Sequence, residues 1–140
     1  EHCAAKKIDP SVMLNSRLFP DMFALTRQVQ IAADVAKGAC CRLAGKEVVS
    51  FEDKETTFAD LYARIDRTLE LVNAAKAAEI DGSEGRDITI KPGGREMTFK
   101  GQTYLLNWVM PNFFFHVTTT YAILRHNGVE IGKMDFLGEF

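Results

Sequence analysis

The chain has 140 residues, 46% hydrophobic and 26% charged, with a formal net charge of −2, which suits one domain (residues 1–140) with a sizeable core. Lys and Arg are scattered and build no basic face, so nucleic acid is not an expected partner; no run of about eighteen apolar residues is present, so neither is a membrane. Three cysteines, Cys3, Cys40 and Cys41, lack CxxC spacing and, with no signal-peptide pattern in view, read as small core or near-core residues in a reducing, cytoplasmic setting.

Glu1 to Lys7 reads as the last turns of a helix whose earlier part is absent. Asp9-Pro10 breaks it, because proline is excluded from helix interiors and restricts the residue before it. A short helix is expected from Ser11 to Leu18. Pro20-Asp21 is predicted to open a long helix running to about Leu43 and stopping before Gly45. There Asp21 serves the first turn, and Arg17 is placed to pair with it. Met22, Leu25, Val29, Ala32, Ala33, Ala36, Cys40 and Leu43 form the apolar stripe, with Asp34 lying off it beside Arg27 and Gln30.

Residues 47–56 read as a solvated loop with an acidic cluster, Glu52, Asp53 and Glu55. Thr57 and Asp60 have capping-box spacing, and Phe58, Leu61, Tyr62, Ile65, Leu69 and Val72 repeat at helical intervals through about Ala78. That helix reads as scaffold, apolar inside and without an inward acid or base. Asp81 to Gly85 is turn chemistry. Asp87–Ile90 and Glu96–Phe99 alternate around Lys91 to Arg95, a hairpin whose Ile88, Ile90, Met97 and Phe99 should lean on the helices. A helix from about Thr103 meets Pro111, where it kinks or a new one starts.

Pro111 to Gly128 reads as one helix. Phe113, Val117, Thr120 and Leu124 fall on its core stripe, flanked by His116, Ile123 and Asn127. Unpaired buried polar groups cost about 1–3 kcal/mol each, so the column His116, Thr120 and Asn127 needs partners and marks a candidate site. Asn112 and Tyr121 join Thr120 and Asn127 as candidate ligand-binding residues around His116. His116 itself suits a core histidine bonded to Thr120, Tyr62 or a carboxylate, a pocket acid–base group, or a metal ligand. His126 faces away near the helix end and is left out of the site. Phe114 and Phe115 point outside the stripe, as aromatics at an interface do. No GxSxG or cysteine–base pair supports nucleophilic catalysis. Residues 129–137 alternate and are expected to pack back as an extended tail.

Three blocks carry a resemblance: Arg17-Leu18-Phe19-Pro20-Asp21-Met22-Phe23 with Gln28-Val29-Gln30; Phe51-Glu52-Asp53-Lys54-Glu55-Thr56-Thr57-Phe58; and Pro111 through His116 with Ile123 through Val129. The ending Gly132 to Gly138 belongs with them. Together they resemble the DUF1993 family, a domain of unknown function grouped with the DinB/YfiT-like superfamily. The resemblance implies an all-α four-helix bundle, often dimeric, here with the first helix truncated and a β-hairpin inserted before the last helix. It also implies a divalent metal (zinc, nickel or iron) held by three side chains, one from the second helix and two from the fourth. The fourth helix offers His116 with Thr120 four residues on, the second offers Asp34, and His2 sits near the end of the leading helix. Two functions from different classes remain open. One is a small-molecule enzyme of hydrolase or thiol-transferase type with His116 as catalytic base or metal ligand. The other is a non-catalytic bundle, its metal site lost, that binds a small ligand or partner protein.

Overall fold

The structure, a computed structural model, describes residues 1–138. Its elements in order are α1 (His2–Lys6), α2 (Pro10–Leu14), α3 (Leu25–Leu43), α4 (Phe58–Asn73), α5 (Ala77–Ile80), β1 (Asp87–Ile90), β2 (Met97–Lys100), α6 (Gly101–Thr103), a π-helical turn (Tyr104–Val109), α7 (Met110–His126) and α8 (Lys133–Leu137). The fold is mostly helical, with one small antiparallel sheet. No helix among the described residues is long and apolar enough to cross a membrane.

Helix α3 is the axis, packed against α4 on one flank and α7 on the other. It therefore buries two faces. Leu25, Ala39 and Leu43 join apolar clusters with α7, the hairpin and the π turn, while Gln30 and Lys37 are buried toward α4. One cluster, Ala39, Leu43, Ile88, Ile90, Tyr104 and Val109, lies at the hairpin end; the other, Met13, Leu25 and Ile123, lies at the opposite end. The strands pair as expected, Ile88 opposite Phe99 and Ile90 opposite Met97, and Ile88 and Ile90 turn inward. At the exit of β2 a Cβ on Gly101 would collide with the Ser83 carbonyl oxygen, so only glycine fits this crossing.

Several expectations are corrected. The long helix begins at Leu25, not Pro20, because Met22 N–H donates to the Phe19 carbonyl in a preceding turn. The Arg17 guanidinium donates to the Met22 carbonyl at 2.5 Å rather than pairing with Asp21. Helix α4 has its predicted capping box, with Asp60 N–H donating to Thr57 Oγ1 at 3.1 Å and Thr57 N–H donating to the Asp60 carboxylate at 2.8 Å. It ends at Asn73, however, and α5 is separate.

Its inward face is also different. Leu61, Arg64 and Thr68 are buried, whereas Tyr62 is 66% and Leu69 50% exposed. The face of α3 that it meets is polar, so a guanidinium fits there where the apolar stripe does not. Pro111 lies in the first turn of α7, and the chain passes from the π turn into α7 directly, with Val109 and Met110 both in helical backbone conformation. The buried stripe of α7 is His116, Thr119 and Ile123, roughly 90° from the predicted one at 100° per residue. Residues 133–137 form α8 instead of an extended tail, with Gly132 N–H donating to the Asp135 carboxylate at 2.7 Å.

Candidate functional site

His116 is 8% exposed and lies on the face of α7 that meets α3. Its Nδ1 is 2.6 Å from Oε1 of Gln28, and the Gln28 Nε2 donates to the Phe23 carbonyl at 3.0 Å. That second bond orients the amide, leaving its oxygen toward the imidazole. Nδ1 therefore carries the proton, and Nε2 carries the lone pair. Nε2 makes no hydrogen bond to the described residues. Burial, and then the positive charge of Arg27, push the imidazole below its ordinary value. The Phe115 ring packs edge-on against it at 5.2 Å. The product is a neutral, fixed imidazole whose basic Nε2 has no partner among the described residues.

The other sequence candidates are only partly gathered around it. Asn112 and Thr120 lie one turn to either side of His116 on the same face. Thr120 Oγ1 is buried without a partner, and Thr120 lines a groove running beside α7. Asn127 is on that face too, but its amide donates to the Ile123 carbonyl at 2.8 Å and closes the helix end. Tyr121 is turned roughly 140° from His116 and packs edge-on with Phe136 at 5.9 Å.

His2 lies against Gly128 at the far end of α7, roughly 15 Å along the axis at 1.5 Å per residue. Its Nε2 is also buried without a partner. Asp34 is roughly 120° around α3 from Gln28, and its Oδ1 accepts from Lys37 at 2.6 Å and Arg64 at 2.9 Å. His116, Asp34 and His2 thus do not converge. Among the described residues no three His, Cys, Asp or Glu side chains are close enough together to hold a metal ion. One imidazole and a neighbouring hydroxyl do not make the donor set a divalent transition metal takes.

Two features were missed from sequence. Gln28, His116's partner, sits three residues after Leu25 on the α7 side of α3; a glutamine in phase with apolar neighbours was the available signal. The second is a charge cluster on the α4 flank. The side chain of Arg64 is 2% exposed and meets Asp34, Asp53 and Glu55 at 2.8–2.9 Å. Gln30 donates to Glu55 at 2.7 Å, and Arg27 pairs with Asp53 at 2.5 Å. The Phe51 ring lies 4.0 Å from Lys37 Nζ and 4.1 Å from the Arg67 guanidinium carbon. Burial works against the Glu55 charge, yet the bonds from Arg64 and Gln30 hold its carboxyl below its ordinary value. The 47–56 loop is therefore largely exposed, as expected, but strapped to the helices through Phe51, Asp53 and Glu55.

The groove beside α7 is open, about 920 Å³, and lined by Leu25, Val29, Phe58, Tyr62, Ile65 and Leu124 among others. His116 is not part of its lining.

The DUF1993 family model, a domain of unknown function, matches residues 1–137. No curated protein matches. Among solved structures, a DinB family member protein from Shewanella denitrificans is 40% identical and superposes with a TM-score of 0.92. The match covers 99% of this chain and 79% of that one. The chain belongs to the DUF1993 family and shares its architecture with a DinB family member.

Proposed function

We propose that this protein binds a small molecule at His116 and uses the neutral Nε2 to accept a proton or hydrogen bond from it. The observation that carries this is the chain of bonds from the Phe23 carbonyl through Gln28 to Nδ1. A histidine fixed in this tautomer presents a ready base, and hydrolase or thiol-transferase chemistry, in which a water or thiol gives up its proton, suits it. Thr120 Oγ1, one turn away, is buried without a partner in the same polar column. The three free cysteines accord with a cytoplasmic location.

A fragment screen by NMR on wild type and His116→Ala tests this. Ligands that bind wild type and are lost in the variant are expected; equal binding to both would place the site elsewhere. Elemental analysis after supplementation with zinc, nickel and iron is expected to find no stoichiometric metal that His116→Ala removes. Finding it would overturn the conclusion that the donor set does not fit.

The groove favours a second function. Phe58, Tyr62, Ile65 and Leu69 recur at intervals of four, three and four along α4, the spacing of a helix-packing seam. A fourth amphipathic helix seated there, from an adjoining segment or from a second copy in a homodimer, completes a four-helix bundle. In that case the protein acts as a non-catalytic binding module. A concentration-dependent melting temperature would favour a second copy.

A further inference from the structure

A second polar constellation lies farther along α3, about 9 to 21 Å from Gln28 at 1.5 Å per residue. Here α3 faces the hairpin and the π turn, and Asp34, Val35, Arg42, Ile90, Lys91, Pro92, Tyr104 and Trp108 line an open pocket of about 240 Å³. Val35, Ile90, Pro92 and Trp108 supply apolar walls. The charges are not all matched. Lys91 pairs with Glu96 at 2.9 Å, and Asp34 pairs with Lys37 and Arg64. Arg42 has no carboxylate within ion-pair distance among the described residues.

Instead, its Nη1 donates to the hydroxyl oxygen of Tyr104 at 3.1 Å, and the guanidinium lies back along α3 over Gly38. A Cβ at Gly38 would stand 2.5 Å from that Nη1. A mid-helix glycine costs about 1 kcal/mol relative to alanine, and here its missing side chain leaves the bed in which the guanidinium rests. Tyr104 is 2% exposed. Its oxygen already accepts from Arg42, so its own proton is left to donate, and among the described residues no acceptor takes it. The π turn, Tyr104–Val109, sets Tyr104 and Trp108 one turn apart beside Arg42; such widened turns recur at functional sites.

We propose that this pocket binds a small organic monocarboxylate. The carboxylate sits on the Nη2 and Nε side of Arg42 and accepts the Tyr104 proton, and the apolar body lies against Trp108, Ile90 and Val35. The guanidinium fork matches a carboxylate in two hydrogen bonds, which a point charge does not. The open pocket leaves room for a benzoate-sized acid beside Arg42. Asp34, at the Lys37 and Arg64 side, disfavours a second negative charge on the ligand. This site does not depend on the His116 proposal.

Trp108 is the only tryptophan in the chain, so its indole N–H gives one resonance that reports on the pocket. The test is a titration of the intact protein with benzoate, hexanoate and, as the neutral isostere, benzamide. Benzoate and hexanoate are expected to shift the Trp108 signal saturably, with Kd near 1 mM or tighter. Benzamide should bind at least tenfold more weakly. Arg42→Gln should weaken benzoate at least tenfold, Tyr104→Phe severalfold, and Gly38→Ala, which displaces the guanidinium without removing it, by an intermediate factor. His116→Ala should leave benzoate binding unchanged. Absence of a saturable shift in wild type, benzamide binding as well as benzoate, or a folded Arg42→Gln with wild-type affinity would each overturn the proposal. If Arg42→Gln fails to fold, Tyr104→Phe decides: unchanged affinity for benzoate there overturns it equally.

Discussion

On the α4 flank of α3, Asp34 and Lys37 meet Arg64, Asp53 and Glu55, and each of these charges has an opposite partner within 2.9 Å. On the α7 flank, Gln28 meets His116 and Arg42 meets Tyr104, and there polar atoms keep unused capacity: His116 Nε2, Thr120 Oγ1 and the Tyr104 proton. The difference separates two uses of buried polarity. In the matched cluster the charges are paired and Arg64 Nε is the one buried atom left without a partner among the described residues, so its main effect is to fix which segments lie together. Unsaturated groups held rigidly by their other bonds retain binding capacity at a defined point. The first flank should accordingly respond to mutation in stability, and the second in binding and proton affinity.

The largest effect is expected at Arg64. Arg64→Ala leaves the largely buried Glu55 without its cation, while Asp34 and Asp53, each more than a third exposed, keep Lys37 and Arg27. Breaking a buried pair costs about 3–5 kcal/mol. In thermal or urea unfolding that is a fall of roughly 10 °C or more. A loss under about 1 kcal/mol would mean that the strap over 47–57 does not bear on stability. Glu55→Gln should cost less, about 1.5–3 kcal/mol, the range for hydrogen bonds to charged groups. It also changes the acid limb. Because the folded Glu55 carboxyl lies below its ordinary value of 4.5, its contribution is complete above that pH and is lost as pH falls through the folded value. Stability of wild type should decline more steeply below pH 4.5 than that of Glu55→Gln.

Much of this architecture could be read from local chemistry. Thr57 and Asp60 announced a helix start because a capping box is a contact of three residues. The hairpin followed from alternation on both sides of Pro92-Gly93-Gly94. His116 was found because a titratable group near an apolar stripe is conspicuous. What stayed hidden depends on partners distant in sequence. Arg64 points inward because α3 and the strap bring it carboxylates from 9 to 30 residues away; in the bare pattern it sits on the polar side of α4. Arg42 and Tyr104 are 62 residues apart, and only Gly38 hinted that something lies across that turn. Pro20-Asp21 misled because a sound start signal was overridden by the Phe19–Met22 turn.

A smaller effect links the two flanks through Arg27, which belongs to the charge cluster yet lowers the proton affinity of His116. Its pair with Asp53 is about 40% exposed on each side, so Arg27→Met should cost only about 0.2–1 kcal/mol. The imidazole of His116 should then titrate at higher pH, seen in its NMR resonances. The sign follows from the fold holding this histidine below its ordinary value of 6.5. The unfolded chain binds the proton more readily, so wild-type stability declines as pH falls from 6.5 through the folded value, and Arg27→Met should lessen that decline. An unmoved titration would show that Arg27 does not act on the site.

The smallest effect is expected where hydropathy alone predicts the largest. Tyr62, one of the apolar residues of α4, is 66% exposed, so Tyr62→Ser should change stability by no more than about 0.5 kcal/mol, as exposed positions do. On the same helix the charged Arg64 should cost several times that. If Tyr62→Ser instead costs more than about 1 kcal/mol, the groove is covered in solution. A dependence of that cost on protein concentration would identify a second copy as the cover, and its absence would point to a segment of the same polypeptide. Either result would assign the apolar seam to bundle assembly, leaving ligand chemistry to the α7 flank.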